Sequence, residues 1–577
     1  MDNKVFGSVF NNIYINNVIE NHNKLFNIFK HQRIFNKYEN FEKHSYKDYL
    51  LDIAIYFEFD NFNIFPENIQ SISFKGNEIK SAIPQHIKSF TILGLKEYDW
   101  SIFSNANNLE SLSISSSFGR NKISEFSADM LPSSITDMYI DSYEYPIKRN
   151  TLPKNLKKLH LVLACDTPIE VGSMPDSLTS LSIGIGYSKP GIPFESNYLP
   201  KGLKELDLLL NSLKELPNDF KLPDSLTVLK ILCNNLPPTF TFPPNLKTLE
   251  LYTDELKEDL KLPQSLEHLE LCLSQQQSFS IDMIPRKLKS LTFNSKQLID
   301  LNGNSILPNT LESLVLTSEL YNNRETPVCG YNQQLLPNML PSSLTSLTFS
   351  FSSNFDNGGT PLTENIFPSS LTHLDLGDSF NQPIGANTIS GLCLKTLVLG
   401  SSFNQEIIEG SLPPNLQELE IRNFRYDKFP INVSKYTTVV CKNYYTQFEK
   451  SPQSLYNLKF KILNEPLKAL SLQNKSNLES LDLGFNFSFN ILKEDLPTPN
   501  NIKKLVVGKI FDKEINLDEE FFPSLEQLYV GISKPILKSN ITINKNFKKI
   551  TVIGSNVIFL DNLDPIFFKY LDIIDNK

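Results

Sequence analysis

Seven histidines and six cysteines are the residues of this 577-residue chain best suited to metal binding or nucleophilic chemistry. The histidines are His22, His31, His44, His86, His160, His268 and His373, and none opens a metal-ligand or hydrolase motif. The cysteines are Cys165, Cys233, Cys272, Cys329, Cys393 and Cys441, with the closest pair 39 residues apart. A zinc ribbon or a thioredoxin-type centre needs C-x-x-C, which is absent from the sequence. The glycine-rich stretch GIGYSKPG from Gly184 lacks Gly-Lys-Ser/Thr and the G-x-G-x-x-G spacing, so it reads as a loop and not a phosphate cradle. No metal, no cofactor and no enzyme are expected.

What these residues share is their place beside leucines. His160 lies between two of them, His268 and His373 each precede one, and Cys165, Cys233 and Cys272 follow them closely, as small buried thiols do. The underlying pattern is L-x-x-L-x-L, with Ile, Val, Phe, Met and one Tyr tolerated. Its first position falls at 69, 87, 109, 135, 156, 178, 203, 226, 246, 266, 288, 311, 344, 371, 394, 416, 436, 455, 478, 502, 525 and 547. The mean step is about 22.8 residues, within the range of leucine-rich repeats. The unit at Tyr436, Val439 and Cys441 is the most degenerate.

The spacing has a physical reading. The last two leucines alternate with polar neighbours, as in Leu206-Asp207-Leu208, the period of a strand with one buried face. The rest of each unit returns the chain to start the next strand, parallel to the last. One such coil buries too few apolar side chains to offset the ordering of its backbone, so stability belongs to the stack. The return carries proline two or three residues before the first leucine, as at Pro153, Pro200, Pro223, Pro263, Pro308, Pro341, Pro368 and Pro413, which favours an extended or 3₁₀ segment over a helix. Three residues after the last leucine stands Asn211, Asn234, Asp254, Ser274, Ser379, Ser402 or Asn486, placed to bond the backbone at the bend.

LDLGDSFNQPI from Leu374 and LVLGSSFNQEIIEGSLPPNLQELEI from Leu397 resemble the FNIP repeat, a relative of the leucine-rich repeat of the form L-x-x-G-x-x-F-N-x-x-I-x-x-G-x-L-P-x-S-L. SFNILKEDLP near Phe489 is a partial match, and elsewhere the L-P-x-S-L half persists alone, as at Leu131, Leu222, Leu262 and Leu340. The coil from Leu203 is instead similar to the shorter bacterial type of leucine-rich repeat. Both resemblances imply a solenoid over residues 62 to about 570, with no generic catalytic activity. The fold class expected is a β-rich α/β solenoid, a leucine-rich-repeat-like horseshoe with a long parallel concave sheet and short non-helical convex segments.

The ends break the period. Phe6, Phe10, Ile13 and Tyr14, then Leu25, Phe26 and Phe29, have helical spacing, and Tyr49 to Phe57 is another apolar run, so residues 1–60 are expected to form a small helical cap. Residues 61–564 form the solenoid of about 22 coils, and 565–577 cap its far edge. Some FNIP proteins carry an F-box at the N-terminus, which would make the chain a substrate receptor of a ubiquitin ligase. That motif opens on Leu-Pro and brings a later Cys or Trp, whereas here the first proline is Pro66, the first cysteine Cys165 and the single tryptophan Trp100.

A net charge of −9 argues against nucleic acid as the partner. No signal peptide or membrane span is read from the sequence, which points to the cytoplasm or nucleus. What remains is surface. Outward positions of successive strands form ladders: Glu205 and Asp207, Lys230, Glu250, then His268 and Glu270, with Tyr252 as an aromatic anchor and Tyr139 and Tyr529 also facing out. These are the expected partner-binding residues of a non-enzymatic scaffold whose protein partner is basic or neutral. The insert between Thr317 and Leu340 is a second candidate.

Overall fold

The computed structural model describes residues 33–574, apart from 45–46, 96–97, 116–122, 164–166, 186–194, 210–215, 258–259, 274–281, 300–302, 304, 319–330, 351–352, 424, 427, 429–433, 442–454, 509, 532–535, 538–542, 554–566 and 568–569. The chain divides into two compact units, Met1–Leu246 and Lys247–Lys577. Each is a parallel β-solenoid with almost no helix; among the described residues the one α-helix is Tyr38–Glu42.

In the first unit, strands from Arg33–Phe35 to Val228–Leu232 pair in chain order, all parallel. The leucine spacing dictates the register. Leu112, Met138, Leu159, Leu181, Leu206 and Leu229 are successive partners, as are Ile114, Ile140, Leu161, Ile183, Leu208 and Ile231. A third buried column holds the first repeat position, Leu109, Ile135, Leu156, Leu178, Leu203 and Leu226. A one-residue slip would turn every one of these side chains to the opposite face, so the register is strongly specified.

The second unit repeats the scheme from Thr248–Thr253 to Leu571–Ile574, again parallel, with a separate pair formed by Glu514–Ile515 and Ile536–Leu537.

The L-P-x-S-L half of the motif is a turn with a tether. The first leucine donates its N–H to the proline carbonyl, as in Leu226 to Pro223 and Leu371 to Pro368. The serine, or threonine in its place, donates its hydroxyl to the carbonyl of the preceding coil's first leucine. Ser134 to Leu109, Ser177 to Leu156, Ser225 to Leu203, Thr310 to Leu288, Ser343 to Leu311 and Ser370 to Leu344 all do so at 2.6–2.7 Å. At the other corner the Phe-Asn half stacks. Phe355, Phe380 and Phe403 lie nearly parallel with centroids 6.0 and 6.3 Å apart, and Tyr426 follows at 5.9 Å. The polar residue after each ring accepts the backbone N–H of its counterpart one coil on: Asn332 from Asp356, Asp356 from Asn381 and Asn381 from Asn404. Ser379 bonds the Ser353 carbonyl of the neighbouring coil at 2.9 Å, as its position after the last leucine leads one to expect. Asn211 and Ser274, expected to act likewise, lie outside the described residues.

Glycine is required where coils close in. Gly377 has φ 72°, and a Cβ on Gly400 would overlap the Gly377 carbonyl oxygen.

Two expectations are corrected. The run Tyr49–Phe57 is not helical: Lys47–Tyr49 is a 3₁₀ turn and Asp52–Ile55 a strand, paired to Arg33–Phe35 and Ser71–Phe74. Leu50, Ile53 and Ile55, all fully buried, repeat the L-x-x-L-x-L spacing there, and sharing the neighbours' ladders outweighs any local helical preference. The helical spacing read over residues 6–29 lies outside the described residues. At the degenerate unit, Val439 and Cys441 join the buried ladders, but Tyr436 is 74% exposed. Thr437 is buried instead, its hydroxyl on the Leu416 carbonyl at 2.6 Å.

Candidate functional site

Side chains two apart on a strand share a face, so the positions between the buried leucines line up on the opposite side of each sheet. In the first unit one such row runs Ser113, Tyr139, His160, Ser182, Asp207 and Lys230, each in register with the next. Asp207 and Lys230 therefore stand side by side as expected, with Glu205 exposed two residues before Asp207. His160 is no simple solvent-facing histidine. Its ring lies flat on Tyr139, centroids 4.5 Å apart and planes parallel. Burial holds its imidazole below the usual value, while Asp207 and Asp141 pull the other way.

The row holds a serine, a histidine and an aspartate, but in the wrong order for hydrolysis. Ser182 sits between the other two and donates to Asp207 Oδ2 at 3.1 Å, so the imidazole does not stand between hydroxyl and carboxylate as a general base must. A cleft of about 600 Å³ at the coil corners of this unit is lined by Glu195, Ser196, Asn197, Leu216, Pro217, Asn218 and Asp219, which supply carboxylates without a histidine or cysteine.

In the second unit Glu250 and Glu270 are in register on adjacent strands, and Thr248 faces His268. His268 is exposed. Tyr252 is not a free anchor: its hydroxyl donates to Glu270 Oε1 at 2.5 Å, and burial first, then that carboxylate, hold the phenol well above its usual value. His373 is half-buried and starts its own strand. Lys504 Nζ lies 4.4 Å from the Tyr529 ring centroid.

The alternation of faces fails between Asp375 and Val440. Asp375, Val398, Glu420 and Val440 occupy outward positions in one row, yet all are buried. Arg422, at the end of its strand, reaches back two coils to Asp375 Oδ2 at 2.8 Å, and contacts Glu420 Oε1 at 3.0 Å and Asp378 Oδ1 at 3.5 Å. Lys461 adds a contact to Glu420 at 2.6 Å. Burial raises the Asp375 carboxyl, with Arg422 opposing. Residue spacing carried no sign of this network, because Asp375 and Arg422 lie 47 residues apart.

Among the described residues no group of three or more His, Cys, Asp or Glu side chains could hold a metal ion, and no helix is long and apolar enough to cross a membrane. Cys233, Cys272 and Cys441 are buried free thiols and Cys393 is exposed; Cys165 and Cys329 lie outside the described residues, as do residues 319–330 of the insert.

The FNIP Repeat family model matches residues 121–163, 143–186, 258–296, 331–358, 360–389 and 393–424, roughly a third of the chain. No curated protein matches. A crystal structure described as CroV588, a novel circular LRR protein, is 25% identical with a TM-score of 0.50, covering 91% of this chain and 79% of that one. YopM from Yersinia enterocolitica WA-314 is 18% identical with a TM-score of 0.34, over 80% and 89%. The structure of a TLR13–ssRNA13 complex is 16% identical with a TM-score of 0.47, over 89% and 86%. The matches at 360–389 and 393–424 fall on the coils where Phe380 and Phe403 stack and Asn381 accepts the Asn404 N–H, while the coil from Leu203 lies outside every match. The chain carries FNIP repeats on a leucine-rich-repeat-like parallel β-solenoid.

Proposed function

We propose that the chain is a non-enzymatic interaction scaffold that holds a protein partner along the outward face of its parallel sheets. The observation that carries this reading is the in-register row of polar and aromatic side chains, Tyr139, His160, Ser182, Asp207 and Lys230, which offers recognition chemistry in a line without converging on a reaction centre. A standard interface takes about 20 to 30 residues a side, and each strand presents two or three, so the sheet of either unit is long enough by itself. The excess of acidic groups favours a basic or neutral protein over nucleic acid. Residues 33–60 lend nothing to an F-box-like alternative, since Arg33–Phe35 and Asp52–Ile55 are sheet strands.

Affinity capture with the full chain tests the reading, comparing it with Glu205→Lys/Asp207→Lys and with Glu250→Lys/Glu270→Lys. At least one pair should release a captured protein. Retention of every captured protein by both pairs overturns the patch.

A further inference from the structure

Tyr139 on the first unit's outward row has a small neighbour, Ser113, on one side and the His160 ring on the other. The parallel stack on His160, at 4.5 Å, is close to the ~4.8 Å between strands, so both ring planes stand across the direction of strand succession. The second face of Tyr139 therefore looks along the sheet toward Ser113, its register partner, whose side chain is a single hydroxymethyl. Beyond Ser113 the row continues with Thr91. A side chain that short leaves a slot beside this face of Tyr139, which is 38% exposed. Two carboxylates border it from Tyr139's own strand: Asp137, exposed, and Asp141, half-buried. Asp141 is aimed by hydroxyls, with Ser115 Oγ on its Oδ2 and Ser142 Oγ on its Oδ1, both at 3.1 Å. Lys158 faces Asp137 from the His160 side, away from the slot.

The geometry points to an arginine-reading slot: a guanidinium from an extended segment of the partner lies over Ser113, stacks on the free face of Tyr139 and donates hydrogen bonds to the carboxylates of Asp141 and Asp137. The planar group continues the Tyr139–His160 stack while its fork of N–H donors reaches two acids; a lysine ammonium can reach the acids but has no flat face to stack. The inference rests on the docking reading above and names what that face recognises.

The full chain is panned against phage-displayed random linear peptides, and binders are measured by fluorescence polarisation. One arginine should be enriched. Replacing it by lysine should weaken binding about fivefold, and Y139A or the D137N/D141N pair about tenfold, whereas Y139F should retain it. S113R places a guanidinium in the slot from within and should block binding, while S113A should not. Should Y139A fail to fold, the contrast between S113R and S113A carries the test. Peptides that accept lysine equally, or that ignore Y139A and S113R but are lost on E250K/E270K, remove the slot and leave the docking face standing. Binders indifferent to every substitution on either face, or no binders at all, count against both.

Discussion

Arg422→Met removes one charge and little volume, and the network predicts where the damage falls. The guanidinium is 17% exposed, and the carboxylates it serves are less so, Asp375 at 8% and Glu420 at 4%. Without it Glu420 keeps Lys461, and Asp375 keeps only the Gly377 N–H at 2.9 Å among the contacts described for its carboxylate. Breaking a buried pair by removing one partner costs about 3 to 5 kcal/mol, and partial exposure of the arginine places this case near the low end. At about 1.4 kcal/mol per decade, that is roughly a hundredfold faster amide exchange in His373–Asp375, Thr396–Leu399 and Glu418–Ile421. Each coil feels chiefly its neighbours, so Gln527–Val530 should exchange as before. A carboxyl raised on folding holds its proton more tightly in the folded chain, so acidification through that raised value favours folding. Asp375 is such a group, and losing Arg422 raises it further, so part of the R422M loss should return as pH falls toward the ordinary carboxylate value of 3.8. The double variant R422M/D375N should recover most of the loss, because Asp375 is the carboxylate left without a cation while Glu420 keeps Lys461. Unchanged exchange in R422M, or a loss spread evenly over the chain, would refute the reasoning.

Gly400→Ala drives a Cβ into the Gly377 carbonyl and should lower the melting temperature by several degrees, whereas Gly391→Ala, with open space around it, should leave it unchanged. Ser225→Ala removes hydroxyl bonds to Leu203 O at 2.6 Å and Lys201 O at 2.7 Å and should cost about 1 kcal/mol by denaturant titration, while Ser225→Thr should be tolerated as Thr310 is. His160 has its imidazole held low by burial, so the unfolded chain takes up the proton first and stability should fall as pH drops through about 6.5. His160→Phe keeps a ring against Tyr139 and should flatten that part of the profile in thermal melts from pH 7.5 to 5.5.

The solenoid was legible because its determinants are local and repeated: three buried columns and one tethering serine recur at offsets that need no tertiary knowledge. Leu50, Ile53 and Ile55 carried the same signal, but an apolar run of that length also fits a helix, and only pairing with Ile72 and Phe74 decides between them. Outward faces were legible as alternation, which placed Asp207 beside Lys230 and Glu250 beside Glu270. What alternation could not supply is reach across strands. The Tyr139–His160 stack, the Tyr252–Glu270 bond and the Arg422 network depend on which long side chains meet over one, two or more coils. Those meetings decide which outward residues are free to bind and which are already engaged.

The most direct test of a sheet-face scaffold is hydroxyl-radical footprinting of the full chain with and without a captured partner. Docking on the strand rows predicts protection of Tyr139, or of His268 and Tyr252, with Tyr436 and Phe485 oxidised as in the free chain. Protection confined to Tyr436 and Phe485 would contradict it.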